Sequence, residues 1–250
     1  MAIDEHLLAL HGPSGSPVLR LYGWSPPAIT LGRYQDAECV DRAACADDGI
    51  DVVRRITGGG AIFHDNEMTY SVVWPDEGLE RPGGIDRAFE TINAFMLETY
   101  RALGLDPAYA KDIAPREHSS GRPQFCFSGN ENYDILVTGK KIGGNAQRRT
   151  GGALLQHGSI PLTIEGSRIK RYFRDRIETR NFTSLHSACG RDVSVEELTV
   201  IMTSSFTRAM GIELAENDLD SSEEVSVRAL IDSRYSRDEW NYSVTEGQQQ

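Results

Sequence analysis

Three stretches hold residue types that could do chemistry together. The first is Arg54-Arg55-Ile56-Thr57-Gly58-Gly59-Gly60-Ala61-Ile62-Phe63-His64-Asp65. Consecutive glycines leaving a strand let the backbone pass close to a ligand, because no Cβ intrudes. The adjacent arginines can hold a carboxylate, a phosphate or an acyl oxygen. The spacing is neither that of a P-loop nor GxGxxG, and glycines alone are more often those of a plain turn. The second stretch is Lys141-Ile142-Gly143-Gly144-Asn145-Ala146-Gln147. Strand alternation puts Lys141, Gly143, Asn145 and Gln147 on one face, where a lysine ammonium can stabilise charge developing on a carbonyl oxygen. A lone lysine beside a turn is more often a solvated charge. The third is Gln124-Phe125-Cys126-Phe127-Ser128-Gly129-Asn130. There Cys126 is a candidate nucleophile if neighbouring positive charge favours its thiolate.

The elements that must position these groups follow from periodicity. Met1 to Leu10 reads as a helix, and Val18–Trp24, Ala28–Arg33, Ile50–Arg55 and Thr69–Trp74 read as strands. A short helix is expected over Asp41–Asp47. A long one runs from Ile85 to Leu103, with Phe89, Ile92, Phe95, Met96, Tyr100 and Leu103 on one stripe. Pro107–Asn132 shows no periodicity and reads as a long loop, which at this length is usually functional or disordered. Tyr133–Val137, Lys141–Gln147 and Ala153–Leu162 are expected as strands of one sheet. Helices follow at Ser167–Arg176, Val195–Met210 and Ser222–Tyr235. Mixed elements with hairpin-like strand connections predict an α+β fold with a largely antiparallel sheet.

Composition narrows the function classes. The chain has 250 residues, 26 Lys plus Arg against 37 Asp plus Glu, and a net charge of −11. Uniform acidity argues against nucleic acid as the main partner. No stretch approaches the roughly 18 apolar residues of a membrane span, and no secretory signal leads the chain, so a cytoplasmic protein is expected. Cys39, Cys45, Cys126 and Cys189 make no CxxC pair, and no metal site is expected; Cys39, Cys45 and Cys189 are assigned to packing. One basic run, Arg168 to Arg180, interrupts the acidity. Alone it is a solvated helix face, and it gains meaning if the partner is an acidic protein.

Taken together, RRITGGGAIFHD, TYSVVW, GKKIGGNAQRR and LLQHGSI resemble the lipoate-protein ligase and octanoyltransferase family, whose catalytic domain is related to that of biotin protein ligases. The resemblance spans the chain from Met1 to Asp238–Tyr242. It implies an α+β catalytic domain with a mixed sheet and flanking helices, over 1–250 without a C-terminal accessory domain. Relatives carry a strand before the helix that begins here at Met1, so either a segment precedes it or the sheet does without that edge strand. The resemblance puts Arg54, Arg55 and Thr57-Gly58-Gly59-Gly60 around the acyl chain and Lys141 against the acyl carbonyl oxygen. It places His64, Asp65, Tyr70, Asp134, Gly143, Asn145, Ala146, Gln156, His157 and Gly158 around the same cleft.

The resemblance also implies the reaction. The family attaches octanoyl or lipoyl groups to one lysine of the lipoyl domains of 2-oxoacid dehydrogenases or of glycine-cleavage H protein. Those acceptors, and acyl carrier protein, are acidic, which makes Arg168–Arg180 a candidate docking face. Cysteine-type members take octanoyl from octanoyl-acyl carrier protein through a thioester and need no cofactor. Ligase members use ATP and Mg²⁺ to make an acyl-adenylate. Cys126, with Tyr133-Asp134 following, favours the transferase. Gly60, where many transferases have arginine, and the missing proline after Cys126 favour the ligase. A non-catalytic acyl-binding module is a third reading, and a biotin ligase is disfavoured by the Lys141–Gln147 motif.

Overall fold

The computed structural model describes residues 1–11, 15–76, 84–113, 131–174 and 179–243. Helix α1 (Ala2–Leu10) leads into strands β1 (Val18–Tyr22) and β2 (Ala28–Leu31), then α2 (Arg42–Asp47), β3 (Asp51–Arg54) and β4 (Ile62–His64). Strand β5 (Glu67–Pro75) precedes the long helix α3 (Gly84–Ala102), β6 (Pro107–Tyr109) and the single turn α4 (Ala110–Ile113). Next come β7 (Ile135–Val137), β8 (Lys140–Lys141), β9 (Gly144–Thr150) and β10 (Ala153–Pro161). Helices α5 (Gly166–Tyr172), α6 (Leu185–Cys189), α7 (Val195–Met210), α8 (Ser221–Leu230) and α9 (Asp238–Tyr242) follow.

The strands form three sheets. The largest has the order β1-β5-β10-β9 and is antiparallel throughout. A second, β3-β2-β4, has one parallel and one antiparallel pair, and a third, β6-β7-β8, is antiparallel. Strand β10 is buried along its whole length because both faces of its sheet are covered. Leu154 and Ile160 join Met68, Tyr70 and Val72 under α3 and α7. Ala153 and Leu155 join Val73 under α1 and α8. Opposite faces at successive residues are what a strand's period of two requires.

The helix stripe does what its spacing predicts. Ala88, Ile92, Phe95, Met96 and Tyr100 are all buried at intervals of three and four, and Leu198, Met202 and Phe206 of α7 pack against them. Ser194 caps α7 by accepting the Glu197 N–H at 3.1 Å, and Gly211 closes it in the left-handed region. Asp220 and Glu223 form a reciprocal capping box on α8. No helix among the described residues is long and apolar enough to cross a membrane.

Four expectations change. The segment expected as one strand over Lys141–Gln147 is two strands in different sheets. The chain crosses between them at Gly143, where a Cβ would stand 2.5 Å from the Ser159 carbonyl oxygen. Consequently Lys141 does not share a face with Asn145 and Gln147. Tyr133–Val137 likewise pairs in the small sheet, apart from β10. The expected loop Pro107–Asn132 begins with β6 and α4, and its residues 114–130 lie outside the described ones. The last predicted helix stops at Leu230 and continues as a π-type turn, Ile231–Tyr235. Strand β4, only three residues long, escapes the sequence pattern altogether.

Gly158 exists to admit Tyr70, since a Cβ there would meet the ring at 2.5 Å. Gly158→Ala should therefore cost about 1–3 kcal/mol through overpacking, read as a lower urea midpoint at unchanged slope.

Candidate active site

Arg55 shapes the glycine loop. The side chain is 2 % exposed; its Nη1 donates to the Thr30 carbonyl at 3.0 Å and hydroxyl at 2.8 Å, and its Nη2 donates to the carbonyls of Gly58 at 2.9 Å and Gly60 at 3.0 Å. The guanidinium thus curls Thr57–Gly60 against the end of β2. Gly59 takes a φ of +91° there, and Gly32 must lack a Cβ, which would fall 1.9 Å from the Gly59 oxygen. Arg54 is a second brace. Its Nη1 donates to the carbonyls of Gly32 and Gln35, both at 2.7 Å, and its Nε to that of Trp240 at 3.1 Å. Helix α9 replies through Asn241, which accepts the Arg54 N–H at 3.0 Å.

The loop rests on the α1-facing side of the large sheet. Arg20, Ser71, His157 and Ala146 stand directly opposite one another across β1, β5, β10 and β9. Asp4 of α1 sits on this row. Its Oδ1 accepts from Arg20 and Ser71, both at 2.9 Å, and its Oδ2 accepts from Tyr22 at 3.1 Å, with His157 Nδ1 at 3.5 Å. His157 Nε2 is 2.6 Å from the Thr57 hydroxyl. Burial pushes the His157 pKa down from 6.5, opposed by Asp4. Burial alone would raise Asp4, but the His157 hydrogen bond and the Arg20 charge hold it well below the carboxylate range.

His64 anchors the other end of the loop. Its Nδ1 is 2.7 Å from Glu67 and its Nε2 is 2.7 Å from the Thr30 hydroxyl, and Trp24 stacks on the ring at 4.2 Å. Glu67 also accepts from Thr69 and Ser159. These donors, His64 foremost, outweigh desolvation and keep its pKa low. Beyond it opens a cavity of about 250 Å³ between β4, β5, the end of β10 and α5, with Phe63, Glu67, Ser159, Ile169 and Phe182 in its walls. Asp65 stands at this cavity, ion-paired with Arg168.

Lys141 occupies the small sheet, 2 % exposed, with Nζ 2.6 Å from Asp134 Oδ2. The same oxygen accepts the Glu131 N–H at 2.7 Å. Burial raises the Asp134 pKa, opposed by the lysine and that N–H. A buried ammonium held at a carboxylate is pre-aimed, and breaking such a buried pair costs about 3–5 kcal/mol.

Tyr70, Gln156 and Asn145 lie on the opposite, α3-facing side of the large sheet. Gln156 Nε2 donates to the Tyr70 hydroxyl at 3.0 Å and to Asn93 Oδ1 at 2.7 Å, and its Oε1 accepts from Gln147 at 2.7 Å. The predicted residues therefore form a loop cluster (Thr57–Gly60, Ala146, His157), a His64 cluster, a Lys141–Asp134 pair and an amide cluster. Of these, Tyr70, Gly143 and Asn145 line one small cavity together with Met96, Tyr100 and Ser159. Cys126 lies outside those residues. Within the basic run Arg168 pairs with Asp65 and Arg171 with Asp48; Lys170, Arg174 and Arg180 are exposed, and Arg176 lies outside the described residues.

Sequence reasoning passed over Asp4, Asn93, Thr30 and Glu67. Asp4 had a signal, since it falls on the same helical stripe as Leu7 and Leu8; Asn93 likewise sits among the apolar positions of α3. Cys39 and Cys45 are buried as packing residues, and burial pushes the Cys45 thiol up to about 11. Cys189 is half-buried. Among the described residues no group of three or more His, Cys, Asp or Glu is placed to hold a metal ion.

The model of the lipoyl protein ligase A/B catalytic domain matches residues 1–207. Octanoyltransferase LipM of Kyrpidia tusciae is 34 % identical, over 97 % of this chain and 93 % of its own. A crystal structure of lipoate-protein ligase A bound with ATP superposes with a TM-score of 0.84 at 27 % identity, covering 97 % of this chain and 92 % of that one. The bi-partite lipoate protein ligase of Thermoplasma acidophilum, described with its E2 lipoyl domain, gives 0.78 at 26 % identity over 97 % and 90 %.

The pKa directions set the acid limb of stability. His157 is held below 6.5, so the unfolded chain takes up the extra proton and stability, full above that pH, falls beneath it. Asp4 and Glu67, both depressed, add a further loss below their ordinary values, whereas Asp134, raised, works in the opposite direction. Thermal melts should show Tm falling from pH 6.5 to 5, with a shallower slope in His157→Gln.

Proposed function

The chain belongs to the lipoyl protein ligase A/B catalytic domain family, and from that premise we propose that it is an octanoyltransferase of protein lipoylation. It takes octanoyl from octanoyl-acyl carrier protein onto Cys126 and passes it to one lysine of a lipoyl domain of a 2-oxoacid dehydrogenase or of glycine-cleavage H protein. The observation that carries this reading is the nearly end-to-end match with a protein named as an octanoyltransferase. The acceptor class has support from the lipoate ligase described with its E2 lipoyl domain.

The chemistry is two acyl transfers. The Cys126 thiolate attacks the donor thioester; its carbon–sulfur bond forms as the carrier's breaks, and the carrier thiol leaves with the proton. The acceptor amine then attacks, a carbon–nitrogen bond forms as the carbon–sulfur bond to Cys126 breaks, and the amine proton goes to the released cysteine sulfur. In each step negative charge grows on the acyl oxygen. Lys141, held by Asp134 in a buried site, answers that charge. Gly58, Gly59 and Gly60, curled by Arg55, give the acyl chain a wall without side chains. Exposed Lys170, Arg174 and Arg180 suit an acidic carrier or acceptor, and we place the reaction in the cytoplasm.

A second reading rests on the likeness to a lipoate-protein ligase bound with ATP and on Gly60. In it ATP and Mg²⁺ are taken from solution to activate a free acid, and Lys141 meets the acyl carboxylate instead. A resident cofactor is part of neither reading.

Intact-mass spectrometry after incubation with octanoyl-acyl carrier protein, without ATP, separates these readings. The expected result is one octanoyl adduct, removed by hydroxylamine, absent in Cys126→Ala and accumulating at least tenfold more slowly in Lys141→Ala, in line with roughly 10²–10³-fold for a lost oxyanion contact. No adduct, with acyl-adenylate once ATP and lipoate are supplied, would establish the ligase reading instead. Neither product, with octanoate still bound, would leave an acyl-binding module.

A further inference from the structure

Asp4 touches none of the groups assigned above to the acyl chain except His157, yet it is 1 % exposed and collects donors from three strands. A carboxylate that receives Arg20, Ser71 and Tyr22 has no proton of its own to give. Facing it at 3.5 Å, His157 carries its proton on Nδ1, since a lone pair there would oppose the carboxylate. The other ring nitrogen is then a lone pair, and the Thr57 hydroxyl, 2.6 Å away, must donate to it. Its oxygen is left as an acceptor, toward which Arg55 Nε points at 3.4 Å.

All three members are buried: Asp4 at 1 %, His157 at 5 % and Thr57 at 1 %. A carboxylate, an imidazole and a hydroxyl in line resemble the wiring of a serine hydrolase, but a hydroxyl this enclosed cannot meet an acyl donor. We infer that Asp4 is a positioning residue: through the His157 tautomer it fixes the Thr57 hydroxyl, and with it the conformation of the glycine loop. Helix α1 thereby sets the shape of the acyl wall through His157, on the face of the sheet that it shares with the loop. Arg55 holds the loop from the β2 side through Gly58 and Gly60, and Asp4 holds it at Thr57. The kinetic part of this inference rests on the octanoyltransferase reading, whereas the tautomer part does not.

Asp4→Asn is the informative change. Its one remaining oxygen goes to Arg20 and Ser71, so its NH₂ faces Tyr22 and His157. The imidazole must then invert, placing Nε2–H against Thr57. Long-range ¹⁵N–¹H correlation spectra of the histidine side chains read this directly. His157 should be protonated at Nδ1 in the wild type and at Nε2 in the variant. A wild-type ring protonated at Nε2, or a variant that keeps Nδ1–H, would overturn the inference, and the first of these needs no variant to fold.

In octanoyl transfer, Asp4→Asn should raise KM for the donor about tenfold with kcat within a factor of two, because the loop is a binding wall. Thr57→Val should do the same, and the double variant should be no worse than either alone, as two links of one chain require. Tyr22→Phe, which removes another contact to the same Asp4 oxygen, should keep the Nδ1–H tautomer and the wild-type KM. Multiplying effects, or an equal rise in Tyr22→Phe, would reduce Asp4 to ordinary packing. A wild type that binds no octanoyl donor while showing the predicted tautomer would remove the transferase reading and leave the positioning role standing.

Discussion

The interior depends on one buried guanidinium. Arg55 joins the carbonyls of Gly58 and Gly60 to Thr30. The Thr30 hydroxyl continues to His64, His64 to Glu67, and Glu67 to Ser159 on β10. This chain of polar contacts runs from the three-stranded sheet to the four-stranded one. Apolar contact could press the two sheets together at many offsets. Directional hydrogen bonds between groups that have left water admit very few. The sheets are held in register by chemistry whose failure would be costly, and the glycine loop inherits that register.

Strand β10 shows the same logic within a single element. Its ends are apolar, as burial on two faces demands, but Gln156, His157 and Ser159 interrupt it. Each finds partners on its own face: Gln156 with Asn93 and Tyr70, His157 with Thr57, Ser159 with Glu67. Burying these groups gains little stability over an apolar strand. What they confer is a fixed placement of the loop and of the residues around it.

Much of this was legible beforehand, for identifiable reasons. The stripe of α3 and the α+β mixture follow from apolar spacing, which local sequence records directly. The motif RRITGGGAIFHD stands out as a glycine loop leaving a strand, yet the work of its arginines does not. Arg54 and Arg55 looked like groups for a ligand's oxygen, and in the fold they bind backbone carbonyls. A guanidinium serves either use, and the choice depends on which carbonyls the tertiary fold brings within reach. Lys141 through Gln147 looked like one strand because alternation is a local pattern, while the crossing at Gly143 is set by the Ser159 carbonyl from another strand. Asp4 was hidden by its surroundings: an acid in a short amphipathic helix is ordinary until the strands beneath it are known.

The polar crossing of β10 also constrains how such an interior can change over time. A substitution at Gln156 takes the partner from the Gln147 amide and one donor from Asn93 Oδ1, and one at Ser159 takes a donor from Glu67. Each single step descends before a second can restore the match. Drift through this region is therefore channelled into compensated pairs, with long stasis between them, while the apolar ends of the same strand are free to exchange one hydrocarbon for another. Covariation across a family would concentrate on the middle four residues of a nine-residue strand, and the register of coupled positions would trace the two faces of the sheet separately.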